Sequence, residues 1–176
     1  MTAISDAGAA RGSTDDDDDG PAYAVIVYRD RGRWQVGQLP EALTGDLDGL
    51  IAAVRQQPGE NGAFALVDIA DEFFVVVRVQ YGQVRLLLSD IGAADDWDLA
   101  EQVVEYLDVD MPADEDAGEL WPAGDLGVFD DMGLEALEMG EILADDDAYA
   151  DEMLSVLAER LGFANDFERV VDALVG

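Results

Sequence analysis

After a featureless opening, the chain alternates between apolar runs of strand length and stretches whose apolar positions recur at helical spacing. Residues 1–20 are mostly Ala, Gly, Ser and Asp and end in the run Asp15–Asp19. With no large apolar residue beyond Met1 and Ile4, they read as a disordered acidic tail. Tyr23–Tyr28 is an unbroken apolar run rich in β-formers. Arg29-Asp30-Arg31-Gly32 then supplies turn residues, and Arg33–Gln38 alternates Trp34 and Val36 with polar neighbours, so the two runs predict a hairpin. Leu47, Leu50, Ile51 and Val54 stand at i, i+3, i+4, i+7 and predict a helix over 46–57, capped by Thr44 or Asp46 and stopped by Pro58-Gly59. Three strands follow: Ala63–Val67, Phe73–Val79 with Phe73, Val75, Val77 and Val79 on one face, and Val84–Leu88. The last two are joined by a tight turn at Tyr81-Gly82. A second helix over 96–107 turns Trp97, Ala100, Val103, Val104 and Leu107 inward.

This order, ββαβββα, predicts an α+β fold in which helices pack on an antiparallel sheet. Longin, roadblock and profilin-like scaffolds share a similar order, an analogy that assigns no function. From 108 to 124 the chain is acidic and broken by Pro112, Gly118, Pro122 and Gly124, the pattern of a linker or long loop. Short amphipathic helices are predicted over Asp125–Met132, Leu134–Leu143, Ala148–Leu161 and Asp166–Leu174, with Gly133 as a break and Gly162 as a left-handed cap. The expected organisation is a tail (1–20), a sheet domain (21–107), an acidic linker (108–124) and a C-terminal helical segment (125–176).

With 49% apolar residues, the chain can bury a core despite its charge. No stretch approaches the roughly 18 consecutive apolar residues of a membrane span, and no secretion signal opens the sequence, so a soluble, cytoplasmic protein is expected. The absences narrow the chemistry further. There is no Cys, His or Lys, and all nine basic residues are Arg against 41 acids. Disulfides, thiolate nucleophiles and a zinc site built on His or Cys are therefore excluded. Carboxylate-only catalysis with a divalent cation is left open.

The net charge of −32 repels nucleic-acid phosphates and anionic membranes and attracts a basic protein surface. Solubility, a high-salt adaptation or a GC-rich genome accounts for the acidity equally well. The charge is uneven: residues 21–107 carry six Arg against fourteen acids, whereas residues 108–176 carry two Arg against twenty-one. The C-terminal third is thus the more acidic docking surface, unless its helices merely have well-solvated outer faces.

Several groupings imitate functional sites. Asp15, Asp17, Asp19 and Gly20 open like a calcium loop, but the twelfth position, where a bidentate Glu is needed, is Ile26. Asp95, Asp96 and Asp98, and Asp145–Asp147, could hold a hard cation, yet they precede predicted helices, where carboxylates cap open N–H groups. Trp34 and Trp97 lie on inward faces. Trp121, in the linker, is either a partner anchor or folded back onto the sheet. The partner-binding residues expected are Trp121, Asp130, Asp131, Glu135, Glu138, Asp145, Asp146 and Asp147. No catalytic, cofactor-binding or metal-ligating residue is assigned.

Taken in order, Tyr23-Ala24-Val25-Ile26-Val27, Leu47-Asp48-Gly49-Leu50, Phe73–Val79, Ser89-Asp90, Gly124-Asp125-Leu126-Gly127 and Leu157–Phe163 resemble the tRNA adenosine deaminase-associated protein family of actinobacteria, over about residues 22 to 171. Those motifs are structural, not catalytic. The resemblance implies a link to wobble-adenosine deamination. It does not imply that this chain deaminates, since such deaminases need His and Cys around zinc. The expectation is a non-catalytic acidic accessory protein, without cofactor, that binds a basic partner such as the deaminase to stabilise or regulate it. The alternatives are a homo-oligomeric scaffold whose acidity serves only solubility, and a carboxylate-based divalent-metal enzyme.

Overall fold

The computed structural model describes residues 22–57, 62–109, 122–145 and 147–175. Strands β1 (Ala22–Asp30) and β2 (Arg33–Gln38) form the first hairpin, followed by helix α1 (Leu47–Gln56). Strands β3 (Phe64–Ile69), β4 (Phe73–Gln80) and β5 (Gln83–Leu88) form a meander, followed by helix α2 (Asp98–Leu107). A two-residue strand β6 (Ala123–Gly124) and helices α3 (Ala136–Leu143), α4 (Ala150–Leu161) and α5 (Ala164–Val175) complete the chain. The strand order is β2-β1-β3-β4-β5-β6, with every neighbouring pair antiparallel. The α+β class and the ββαβββα order are as the sequence predicts. Among the described residues, no helix is long and apolar enough to cross a membrane.

Both faces of the sheet are covered. On one face, Ala65, Val67, Val75 and Val77 pack against α1 and α2, whose Leu47, Leu50, Ile51, Val54, Leu99 and Val103 are buried. On the other, Phe64, Leu66, Phe74, Val76 and Leu87 pack against Met139, Leu143, Leu154, Leu157, Phe163 and Phe167 of the C-terminal helices. Because successive strand residues point to opposite faces, a strand covered on both sides must be apolar at every position. That explains the unbroken apolar runs Phe64–Val67 in β3 and Phe73–Val77 in β4. Asp46 caps α1 through the Gly49 N–H, as predicted, and Gln102 of α2 ties to its start by accepting from the Leu47 N–H at 2.9 Å.

Two segments depart from the sequence reading. Asp125–Met132 is not a helix but a series of turns ending in a 3-10 turn at Asp130–Met132, because its carboxylates and carbonyls serve strand arginines. Ala123–Gly124, inside the predicted linker, pairs with Leu87 and Leu88 as the sixth strand. Gly124 has φ +104°, and a Cβ there would lie 2.2 Å from the Leu86 carbonyl, so only glycine fits this approach. The tail and residues 110–121 lie outside the described residues.

The hairpin turns also differ. Arg31-Gly32 and Tyr81-Gly82 place left-handed residues in two-residue turns, as hairpin twist requires. The β3–β4 turn makes the same demand of Ala70 (φ 55°) and Asp71 (φ 62°), neither of which is glycine. That geometry costs on the order of 1 kcal/mol for Ala70, so something else must hold it.

Candidate functional site

The face of the sheet beneath the C-terminal helices is apolar at its centre and charged at its two ends. At one end, Arg78 of β4 and Arg85 of β5 are register partners. Arg78 is fully buried and forms a two-pronged pair with Asp131, at 2.7 and 3.0 Å, while also donating to the Val128 carbonyl at 2.6 Å. Arg85 donates to Asp125 and to the Gly127 carbonyl, each at 2.7 Å. Gln80 links the two arginines, donating to Asp131 and accepting from Arg85. The guanidinium holds the Asp131 carboxyl below the usual carboxylate range, hydrogen bonding being the largest cause. This latch seats the turn that carries Phe129 against Phe64, ring centroids 4.7 Å apart.

The opposite end is a carboxylate clasp. Asp68, buried in β3 opposite Tyr23, accepts the Asp71 N–H at 3.0 Å and so helps hold the strained turn. Asp71 in turn receives the start of α4: its carbonyl takes the Ala150 N–H at 3.4 Å and its carboxylate the Asp151 N–H at 3.0 Å. Burial first, then the charge of Asp71, raises Asp68 to about 7; burial and contact with Asp71 raise Asp151 to about 6. The Tyr23 hydroxyl is buried beside Asp68, and burial followed by the Asp68 charge pushes its pKa up.

Between these ends, α3 and α4 lie side by side and leave a groove of about 360 Å³ on their outer side. Its floor is apolar: Ile142, Ala148, Met153 and Val156. Its rim is acidic: Glu138, Glu141, Asp145 and Glu152. Arg160 closes one end, paired with Glu138. Local sequence builds this edge. Glu138 and Glu152 each accept from the backbone N–H three residues before them, completing capping boxes that fix the starts of α3 and α4. Gly162 ends α4 with φ +105°, as predicted. Three large apolar residues exposed among the described residues belong to this pair of helices: Leu137, Tyr149 and Val156.

The eight residues expected to meet a partner are therefore separated. Glu138 and Asp145 line the groove; Glu135 begins α3 beside it. The Asp145 carboxylate accepts the Asp147 N–H at 3.1 Å, an exposed turn just before α4. The Asp131 carboxylate is committed to Arg78, and Asp130 lies 3.9 Å from Arg85. Trp121 and Asp146 lie outside the described residues. Glu141, Glu152, Met153 and Val156 belong to the groove without having been singled out in the sequence, although Met153 and Val156 share a side of α4 by their i, i+3 spacing.

Asp98 sits in the first turn of α2 but does not cap it; that position falls to Trp97, partly buried against Phe73. Trp34 is likewise partly buried, with its ring centroid 5.1 Å from that of Phe163 and the Arg29 guanidinium over its face. Among the described residues, no group of three or more acids is placed to hold a metal ion.

No solved structure matches the chain. A relative, protein Rv3753c of Mycobacterium tuberculosis (strain ATCC 25618 / H37Rv), is 40% identical over 154 residues, covering 86% of this chain and 88% of its own length. The profile of Rv3753c-like tRNA adenosine deaminase-associated proteins matches residues 22–164, spanning the sheet, the arginine latch and both helices of the groove. The chain belongs to the Rv3753c-like tRNA adenosine deaminase-associated protein family.

Proposed function

We propose that this protein is a non-catalytic accessory factor that binds a tRNA adenosine deaminase, the enzyme for which its family is named, and stabilises or regulates it. The observation that carries this reading is the division of labour among its charges. Arg78, Arg85, Arg160 and Arg169 are paired within the fold, and the acids of α3 and α4 line an open groove with an apolar floor. A surface of that kind suits a basic protein, and an enzyme that handles tRNA needs basic surface to meet phosphates. Zinc-dependent deamination itself needs His or Cys, and the sequence has neither.

The test is a titration of the purified deaminase with this protein at about 50 mM and about 300 mM salt, concentrations that straddle a Debye length of about 10 Å. Binding at low salt that weakens at least several-fold at high salt supports the reading. Absence of binding at low salt removes the deaminase as partner, and salt-independent binding removes the electrostatic mode.

A further inference from the structure

The groove between α3 and α4 has a shape and polarity that specify more than attraction. On α4 it runs from Glu152 to Arg160, about 12 Å at helical rise, enough for about two turns of a bound helix. Its floor is continuous and apolar, and Val156 there is 37% exposed. Leu137 in the first turn of α3 and Tyr149 just before α4 are 78% and 65% exposed. The charge along the rim is directional: Glu138 is neutralised by Arg160 at one end, whereas Asp145 and Glu152 leave the other end negative.

We infer that this groove receives a short amphipathic basic helix from a protein partner, an aliphatic side chain seated over Ile142, Met153 and Val156 and Arg or Lys side chains reaching Glu141, Asp145 and Glu152. The occupant's N-terminal end, positive by its aligned peptide dipoles, lies toward Asp145 and its C-terminal end toward Arg160. Charge excludes the other occupants at hand. Residues 1–20 hold one Arg against six acids, and residues 108–121 hold six acids and no Arg, so neither segment complements the rim. A second copy would bring another −32 against the first. This inference names the docking site and partner chemistry for the association proposed above and rests on that reading.

The probe is a labelled synthetic helix of about 12 residues, with Leu at i, i+3, i+4 and i+7 and Arg elsewhere, followed by fluorescence anisotropy against the full chain. The informative variant is Val156→Glu, which adds negative charge while spoiling the floor. It is expected to weaken binding at least tenfold, and Glu141→Arg at least fivefold. Glu168→Arg, the same charge change at an exposed site on α5, is expected to alter binding less than twofold. Unchanged or tighter binding by Val156→Glu overturns the groove, because diffuse electrostatic attraction predicts that result. Binding of an equally charged peptide with Ser in place of Leu at similar affinity overturns it too. Thermal melts confirm that each variant is folded. The deaminase titration separates the two readings. If the enzyme binds and Val156→Glu has no effect, the groove fails and the association stands. If the probe behaves as expected and the enzyme does not bind, the groove stands and the identity of the partner fails. Sedimentation that shows self-association abolished by Val156→Glu would assign the groove to a second copy and overturn the inference.

Discussion

Replacing Asp131 with alanine removes the carboxylate that forms the two-pronged pair with the buried Arg78 guanidinium. Arg78 is 0% exposed, whereas the Asp131 side chain is 35% exposed, so the pair is buried on one side only. Breaking a fully buried pair costs about 3–5 kcal/mol. Water reaching the vacated carboxylate position reduces that figure, and the Val128 carbonyl and Phe129 ring, 5.8 Å from the guanidinium, still partner Arg78. A loss of about 2–3 kcal/mol is expected, which for a chain of this size lowers the melting temperature by about 5–10 °C. The double variant Arg78→Met, Asp131→Leu removes both charges and is expected to recover most of the loss, since a matched apolar pair leaves no buried guanidinium to desolvate. The pH dependence has a defined sign. The Asp131 pKa is depressed in the fold, so its contribution is present above the ordinary carboxylate range of about 4 and is lost as pH falls through the lower folded value. Asp131→Ala should therefore abolish that acid-limb slope. Urea melts of the single and double variants at pH 7 provide the measurement. A change below about 1 kcal/mol for Asp131→Ala, or a double variant that loses as much stability as Asp131→Ala, would refute the latch.

The clasp at the other end titrates in the opposite sense. With Asp68 raised from 3.8 to about 7, the folded state binds more protons across that interval, so stability falls as pH rises from about 4 to 7. Asp68→Asn, which keeps an acceptor for the Asp71 N–H, should flatten the profile and stabilise the protein at pH 8 by up to about 4 kcal/mol; parallel curves for variant and wild type would sink this account. Ala70→Gly should stabilise by a few tenths of a kcal/mol and up to about 1 kcal/mol, because relief of the left-handed Ala70 outweighs the usual entropic cost of introducing glycine. A denaturant midpoint lowered by that substitution would show that the turn carries no strain. Gly124→Ala should destabilise by about 2 kcal/mol or more through the Cβ contact with the Leu86 carbonyl, and an unchanged midpoint would contradict the observed approach of β6 to β5.

Local pattern determined the elements of this protein because periodicity and turn chemistry act over a few residues. Leu47, Leu50, Ile51 and Val54 are all buried as their spacing requires, and the turns at Gly32 and Gly82 fall where the sequence places them. The strands carried a further signal: Phe64–Val67 and Phe73–Val77 are apolar at every position, which a sheet with one wet face would not tolerate, and Asp68 and Arg78 interrupt that pattern on the same face. What the two charges pair with is invisible locally. Arg78 meets Asp131 53 positions later, and the turn that Asp68 supports receives the backbone of Asp151 80 positions after Asp71. Those partners pull Asp125–Met132 out of the helix its amphipathic spacing favours, since neutralising a buried guanidinium outweighs a weak local preference. The same docking brings α3 alongside α4 and turns Glu138, Glu141, Asp145 and Glu152 toward one opening. The sequence alone determined that the C-terminal third is acidic. Tertiary packing decided which carboxylates hold the fold together and which border an apolar groove open to solvent, because that choice depends on contacts between segments that no local pattern encodes.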